Sequence, residues 1–212
     1  EFASLVNQGK DYSKFCQNGV VVLLNDIDAS SIKEWVPAGT KTSPFTGSFD
    51  GKGHSIKNIN WATDLSKYQY AGVFGYAKGA SISALKVGAA GDVITLKGNA
   101  TSVNAGAVVG YAEGGSITGC TVYAGQSYTG ANSGGTIRIG GVCGFSSASV
   151  ENCINRGNVL CPVTARVAGF VAYNEGKVSG CTNYGSILAE KSGEIGPAWA
   201  CSYQKTPSAF EK

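Results

Sequence analysis

The sequence is short of most of what ionic and metal chemistry is built from. It holds one histidine, His54, in 212 residues, and only 15% of the chain is charged. A single imidazole excludes His-Glu-x-x-His and any other motif that takes two histidines. No Cys-x-x-Cys pair occurs among the seven cysteines, which removes the usual zinc spacings, so neither metal nor other cofactor is expected. The 17 Lys and Arg barely outnumber the 14 Asp and Glu and form no cluster or stripe, so no nucleic-acid partner is expected. Long apolar runs are missing too. The longest uncharged stretch, residues 114–137, is filled with Gly, Ser, Thr, Asn and Gln and does not read as a membrane span. The first residues, from Glu1 to Leu5, have neither the basic nor the apolar segment of an export signal.

What is abundant is turn chemistry. Glycine supplies 31 residues, with many Ser, Thr and Asn and few strong helix formers, which points to a single all-β domain. The chain also repeats itself, and a repeat decides the fold. The segment YAGVFGYAKGASISALKV (70–87) returns as NAGAVVGYAEGGSITGCTV (104–122), Ile82 recurring as Ile117 after 35 residues. GGVCGF (140–145) with VENC (150–153), and AGFVAY (168–173) with VSGC (178–181), continue the series at intervals of 33 and 28 between the cysteines. IKNI (56–59) reads as an earlier copy of the second half, and IGPAWAC (195–201) as a terminal copy of the first.

Each unit contains a Gly-aromatic piece, an Ile-x-x-Leu/Cys piece and a variable third such as Val93 to Leu96, Thr136 to Ile139 or Val159 with Leu160. Three short strands recurring in one direction predict a parallel β-helix of roughly five coils, triangular in section. A propeller is the weaker alternative, because Asn-Gly and Asp-Gly hairpin signals are missing from within the repeats. Residues 1–19, with Phe2, Leu5, Val6, Tyr12 and Phe15 near helical spacing, predict a short N-terminal cap over the first coil. Residues 20–203 then form the coils, starting with the apolar run Val20 to Leu24 as the first buried strand. Residues 204–212 read as an exit tail.

The stretch FTGSFDGKGHSI (45–56), followed by Gly72-Val73-Phe74-Gly75, resembles the GLUG repeats of bacterial surface proteins, named for a Gly-Leu-aromatic-Gly core. The resemblance implies a right-handed β-helix, which agrees with the usual hand of parallel crossovers. It also implies an extracellular or cell-surface location, a place within a larger exported protein with other domains, and no catalytic residue. A glycan or a surface protein is the partner it suggests.

Four aromatics, Tyr76, Tyr111, Phe145 and Tyr173, occupy equivalent sites in consecutive coils and are the candidate ligand-binding residues. Facing outward they would offer a ladder to sugar rings or a protein partner, and facing inward they would be core. Strand alternation puts Tyr76 on the same face as Phe74. Cys120, Cys153 and Cys181 share a slot with Ile59 and Leu85, and Cys143 replaces Phe74, which predicts free, buried thiols. Asn155 and Asn183, in Asn-x-Gly turns, are expected to hydrogen-bond from coil to coil, with Gly157 and Gly185 free to take positive φ.

His54 in its glycine-rich turn reads as solvated, and the acids of Asp26-Ile-Asp28 as bonding to local backbone, since the twelfth position of a calcium loop would be Pro37. Arg138, Arg156 and Arg166 are assigned to different loops or walls. The outward positions Ser83, Thr118, Glu151 and Ser179 hold one acid, too few for the converging carboxylates of a polysaccharide-cleaving enzyme. The favoured function is a non-catalytic, adhesin-like binding module. A passive spacer and a carbohydrate-active enzyme are the alternatives.

Overall fold

The computed structural model describes residues 1–189, 194–196 and 199–202, and over them the chain winds as a parallel β-solenoid. One central coil shows the plan. It runs through Ser81–Ser83, Lys86–Val87, Val93–Lys97, Ala100–Gly106 and Val109–Glu113, taken below as the first to fifth walls. Each strand pairs in parallel with its equivalents one coil away, in sheets of five to seven strands among the described residues. The repeat lengths match those of the sequence, as Ser81 pairs with Ser116, Ser116 with Ser149, and Val150 with Val178.

A coil therefore has five walls, not three. The Ile-x-x-Leu/Cys piece is broken in two by a left-handed residue at the same place in four successive coils, Ala84 (φ 51°), Gly119 (64°), Asn152 (54°) and Gly180 (62°), and in the coil before them by Lys52 (49°) and Gly53 (75°). Such a residue turns the chain sharply, so a two-residue second wall follows the first. The variable third piece also divides. Val93–Lys97 and Val159–Cys161 lie on the third wall, whereas Thr136 to Ile139 belong to Asn132–Gly140 on the fourth. In the first coil, Phe49 pairs with Ile82, and Ile56 pairs with Val87 of the second wall. IKNI is thus not the copy of ISAL, and Ile59 lies outside the cysteine slot. The alignment slipped because the short second wall has its own apolar residue.

Inward-facing Ile, Val, Leu, Ala and Cys fill the axis, and aromatics concentrate at the N-terminal end. There the helix α1, Phe2–Asn7, lays Phe2 against Tyr12, Phe15, Phe45 and Phe74, with edge-on rings 5.5 to 6.5 Å apart. The expected cap is present. It includes an antiparallel pair, Cys16–Gln17 with Val20–Val22, joined by Asn18 (φ 49°) and Gly19 (φ 79°). Two successive positive φ values are what a two-residue hairpin turn requires, and the Asn-Gly pair supplies them. The strand stops at Val22 and Leu24 is exposed, so Val20 to Leu24 is not a continuous buried strand. The exit tail expected at 204–212 lies outside the described residues.

Candidate functional site

The aromatic column exists, and it faces away from the axis. Tyr76, Tyr111, Phe145 and Tyr173 are in register on the fifth wall. Their rings stack nearly parallel, with centroids 4.7, 4.1 and 5.4 Å apart and tilts of 12°, 7° and 10°. Phe74 and Ala77 belong to the central core, whereas Tyr76 does not. Strict alternation therefore fails between Phe74 and Tyr76. The residue between them is Gly75, where a Cβ would lie 2.5 Å from the Gly39 carbonyl oxygen. The corner between the fourth and fifth walls lies just before Phe74, and from Tyr76 on the strand alternates outward and inward, with Tyr76 on the outer side.

Across that corner stands the outward column of the fourth wall: Tyr70, Asn104, Arg138 and Arg166. Arg138 and Arg166 thus share one wall in adjacent coils, contrary to the sequence assignment. Tyr70 meets Tyr76 and Tyr111 edge-on, and the Arg138 and Arg166 guanidinium groups lie over the Tyr173 ring at 4.9 and 5.3 Å. Arg138 Nη1 donates to Asn104 Oδ1 at 3.1 Å, and the Tyr76 hydroxyl donates to Glu113 Oε2 at 2.7 Å. Burial, and then the Glu113 carboxylate, hold the Tyr76 hydroxyl well above its ordinary pKa. With Tyr76 only 6% and Phe145 8% exposed, ring edges rather than ring faces reach solvent. The faces a sugar would stack on are taken by neighbouring rings.

A second surface, at the outer corner between the second and third walls, was not singled out from sequence. It is a groove of about 550 Å³ lined by Asp92, Val93, Tyr123, Ser127, Arg156 and Leu160 among others. Tyr123, Arg156 and Tyr184 directly follow the register partners Val122, Asn155 and Asn183, which sets them in adjacent coils. Arg156 stacks on Tyr184 with 4.6 Å from guanidinium carbon to ring centroid. Beside them Leu160 pairs with Leu188 on the third wall. Of the seven large exposed apolar or aromatic side chains among the described residues, Val93, Leu160, Tyr184 and Leu188 lie here, Tyr184 at 63% and Leu188 at 55% exposure. The signal available in the sequence was weak. These residues alternate with core positions and read as the outer half of ordinary strands.

Asn155 and Asn183 form the expected chain, Asn155 Nδ2 donating to Asn183 Oδ1 at 2.9 Å and to the Gly157 carbonyl at 3.0 Å. This fixes the backbone on which Arg156 and Tyr184 sit. Gly157 and Gly185 are not at positive φ. They are required for space, because a Cβ on Gly157 would lie 2.0 Å from the Ala124 carbonyl oxygen and one on Gly185 2.0 Å from that of Gly157.

The remaining candidates are structural. Cys120, Cys153 and Cys181 stack above Leu85, as the backbone bonds Thr121 to Leu85, Ile154 to Cys120 and Thr182 to Cys153 show. Cys16, Cys120, Cys143, Cys153, Cys161 and Cys181 are free. The Cys120 contact, above all, pushes the Cys153 thiol up to about 12, and burial raises Cys143 further. These thiols stay protonated. His54 Nδ1 lies 3.4 Å from Asp26 Oδ1 on the surface. Asp26 accepts from the Ser55 amide and Lys57, which with Lys57 first hold its carboxyl down at about 2. Asp28 accepts from the Ser30 amide, the local bond expected of a turn acid, and from Asn58, whereas Asp26, contrary to that expectation, bonds residues about 30 positions on rather than its own turn. No group of three metal-ligating side chains occurs among the described residues, and no described helix is long and apolar enough to cross a membrane. Glu151 pairs with Lys177 and Ser149, and Glu113 with Lys78 and Tyr76, on different walls.

Comparison with family models, curated proteins and solved structures found no match.

Proposed function

We propose that this chain is a non-catalytic, adhesin-like binding module of a larger exported bacterial protein, and that its ligand seats in the groove between the second and third walls. The observation that carries the reading is that exposed Val93 and Leu160 line one concave site with Arg156, while exposed Tyr184 stacks on Arg156 and exposed Leu188 pairs with Leu160 one coil on. Isolated exposed apolar residues need no explanation, but a contiguous group rimmed by polar side chains marks an interaction surface. Tyrosine and arginine are also the side chains that most often dominate binding energy. The likeness of residues 45–76 to GLUG repeats supports the surface location.

The spacer reading has its own support in the stacked ladder and the Asn155–Asn183 chain, which tie coil to coil. Binding of immobilised glycans and of surface-protein ectodomains by the intact chain, against Tyr184→Ala and Leu160→Ser, separates the two. Loss of a specific interaction in both variants at unchanged thermal midpoint supports the binding module. An interaction indifferent to both changes, or lost only on Tyr111→Ala, moves the site elsewhere. No interaction with any ligand favours the spacer.

A further inference from the structure

The groove's charge and its repeat distance narrow what it can take. Arg156 is exposed, and among the described residues no carboxylate lies within ion-pairing distance of it; its guanidinium is held instead against the Tyr184 ring. The acid lining the groove, Asp92, already accepts from the Ala89 and Ile59 amides at 2.8 and 2.9 Å. The site therefore offers a pre-oriented cation whose planar fork suits a carboxylate or a sulfate. Next to it Tyr123 and Tyr184 offer aromatic surface, Leu160 an apolar floor and Ser127 a hydroxyl.

The second constraint is geometric. Tyr123, Arg156 and Tyr184 follow one another up the solenoid at the strand spacing of about 4.8 Å. That is about the length of one pyranose, so a glycan lying along the axis meets an equivalent side chain at each ring. An extended peptide repeats its side chains on one face only every ~6.6 Å, and falls out of step after one coil.

Resting on the binding-module reading, we propose that the groove binds an anionic glycan along the solenoid axis, with a carboxylate or sulfate on Arg156 and sugar rings against Leu160 and the exposed outer edge of Tyr184. The test is calorimetric titration of the intact chain with oligogalacturonate, with dextran sulfate, with neutral dextran and with poly-glutamate, repeated for Arg156→Gln and Tyr184→Ala. Both side chains are exposed, and the thermal midpoint checks that each variant folds. The expected result is binding of at least one anionic glycan, weakened tenfold or more by either substitution and by raising salt from 50 to about 500 mM, where screening is strong. The uronate and sulfate arms tell which group Arg156 takes. Dextran bound as tightly as the anionic glycans, with Arg156→Gln silent, overturns the anion assignment and leaves the binding module standing. Poly-glutamate bound through Arg156 while all glycans fail would make the ligand a protein and overturn this inference alone. No binding in any arm overturns the inference, and the reading under it falls only if the wider ligand search above also fails.

Discussion

At the scale of single residues, parallel stacking multiplies small constraints, because each side chain has a copy of its position about 4.8 Å above and below. Gly157 is the clearest case. Its missing Cβ leaves room for the Ala124 carbonyl 2.0 Å from where that carbon would be, and only backbone movement relieves the clash. Gly157→Ala is expected to cost about 1–3 kcal/mol, the usual range for an overpacked interior, read as a lower urea midpoint. A cost below the error of the measurement would show that the Asn155–Gly157 turn is looser than described. The cysteine column makes the opposite demand. It needs small, uncharged side chains, and Cys120, Cys153 and Cys181 supply them as free thiols. Denaturation without reductant should leave all three reactive to a thiol reagent, and recovery of any of them as a disulfide would contradict the column. Cys153→Arg should abolish folding, since it buries an unpaired charge where the thiol is fully covered.

At the scale of elements, the fifth wall is stiffened from outside as well as from the core. Phe145 has a ring on each face, Tyr111 at 4.1 Å and Tyr173 at 5.4 Å, and is nearly covered without belonging to the central core. Removing it should behave as removal of a buried aromatic, about 3–5 kcal/mol for Phe145→Ala by chemical denaturation. Tyr184→Ala, on an exposed ring, should change stability by no more than about 0.5 kcal/mol. Similar values for the two would mean that the ladder and the groove do not differ in packing. The column of four aromatics was legible because equivalent residues recur at equivalent steps of the repeat. Its side of the wall was not, because alternation assumes a regular strand from its first residue, and Phe74, at the corner where the fifth wall begins, faces the core out of step with Tyr76. The groove was illegible for a related reason. The 28-residue interval already sets Arg156 and Tyr184 in adjacent coils, but only the five-wall coil turns them outward beside Leu160.

At the scale of the whole molecule, stability in a solenoid is close to a sum of coil and neighbour terms, so damage at one end stays near that end. The cap tests this. Phe2→Ala removes the ring that touches Phe15, Phe45 and Phe74 at once. Amide exchange should quicken in Val20–Val22 and in the bridge from Ala38 to Phe74, while the amides of Cys143–Ser146, two coils beyond Phe74, keep their protection. Uniform loss along the chain would show a single cooperative unit instead.

The sequence alone determined the solenoid, the repeat lengths, the cap, the aromatic and cysteine columns and the Asn155–Asn183 chain. All of these follow from identity of position between coils, which a linear repeat records directly. Tertiary structure alone decided the number of walls, the outward turn of the Tyr76 column, the pairing of Arg138 with Arg166 and the exposure of Arg156 and Tyr184 beside Leu160 at one groove. Those depend on where the chain bends within a coil, and a bend is set by a single left-handed residue or a close backbone approach, such as Ala84 or Gly157. Neither changes the hydrophobic period, so the linear pattern carries no trace of it.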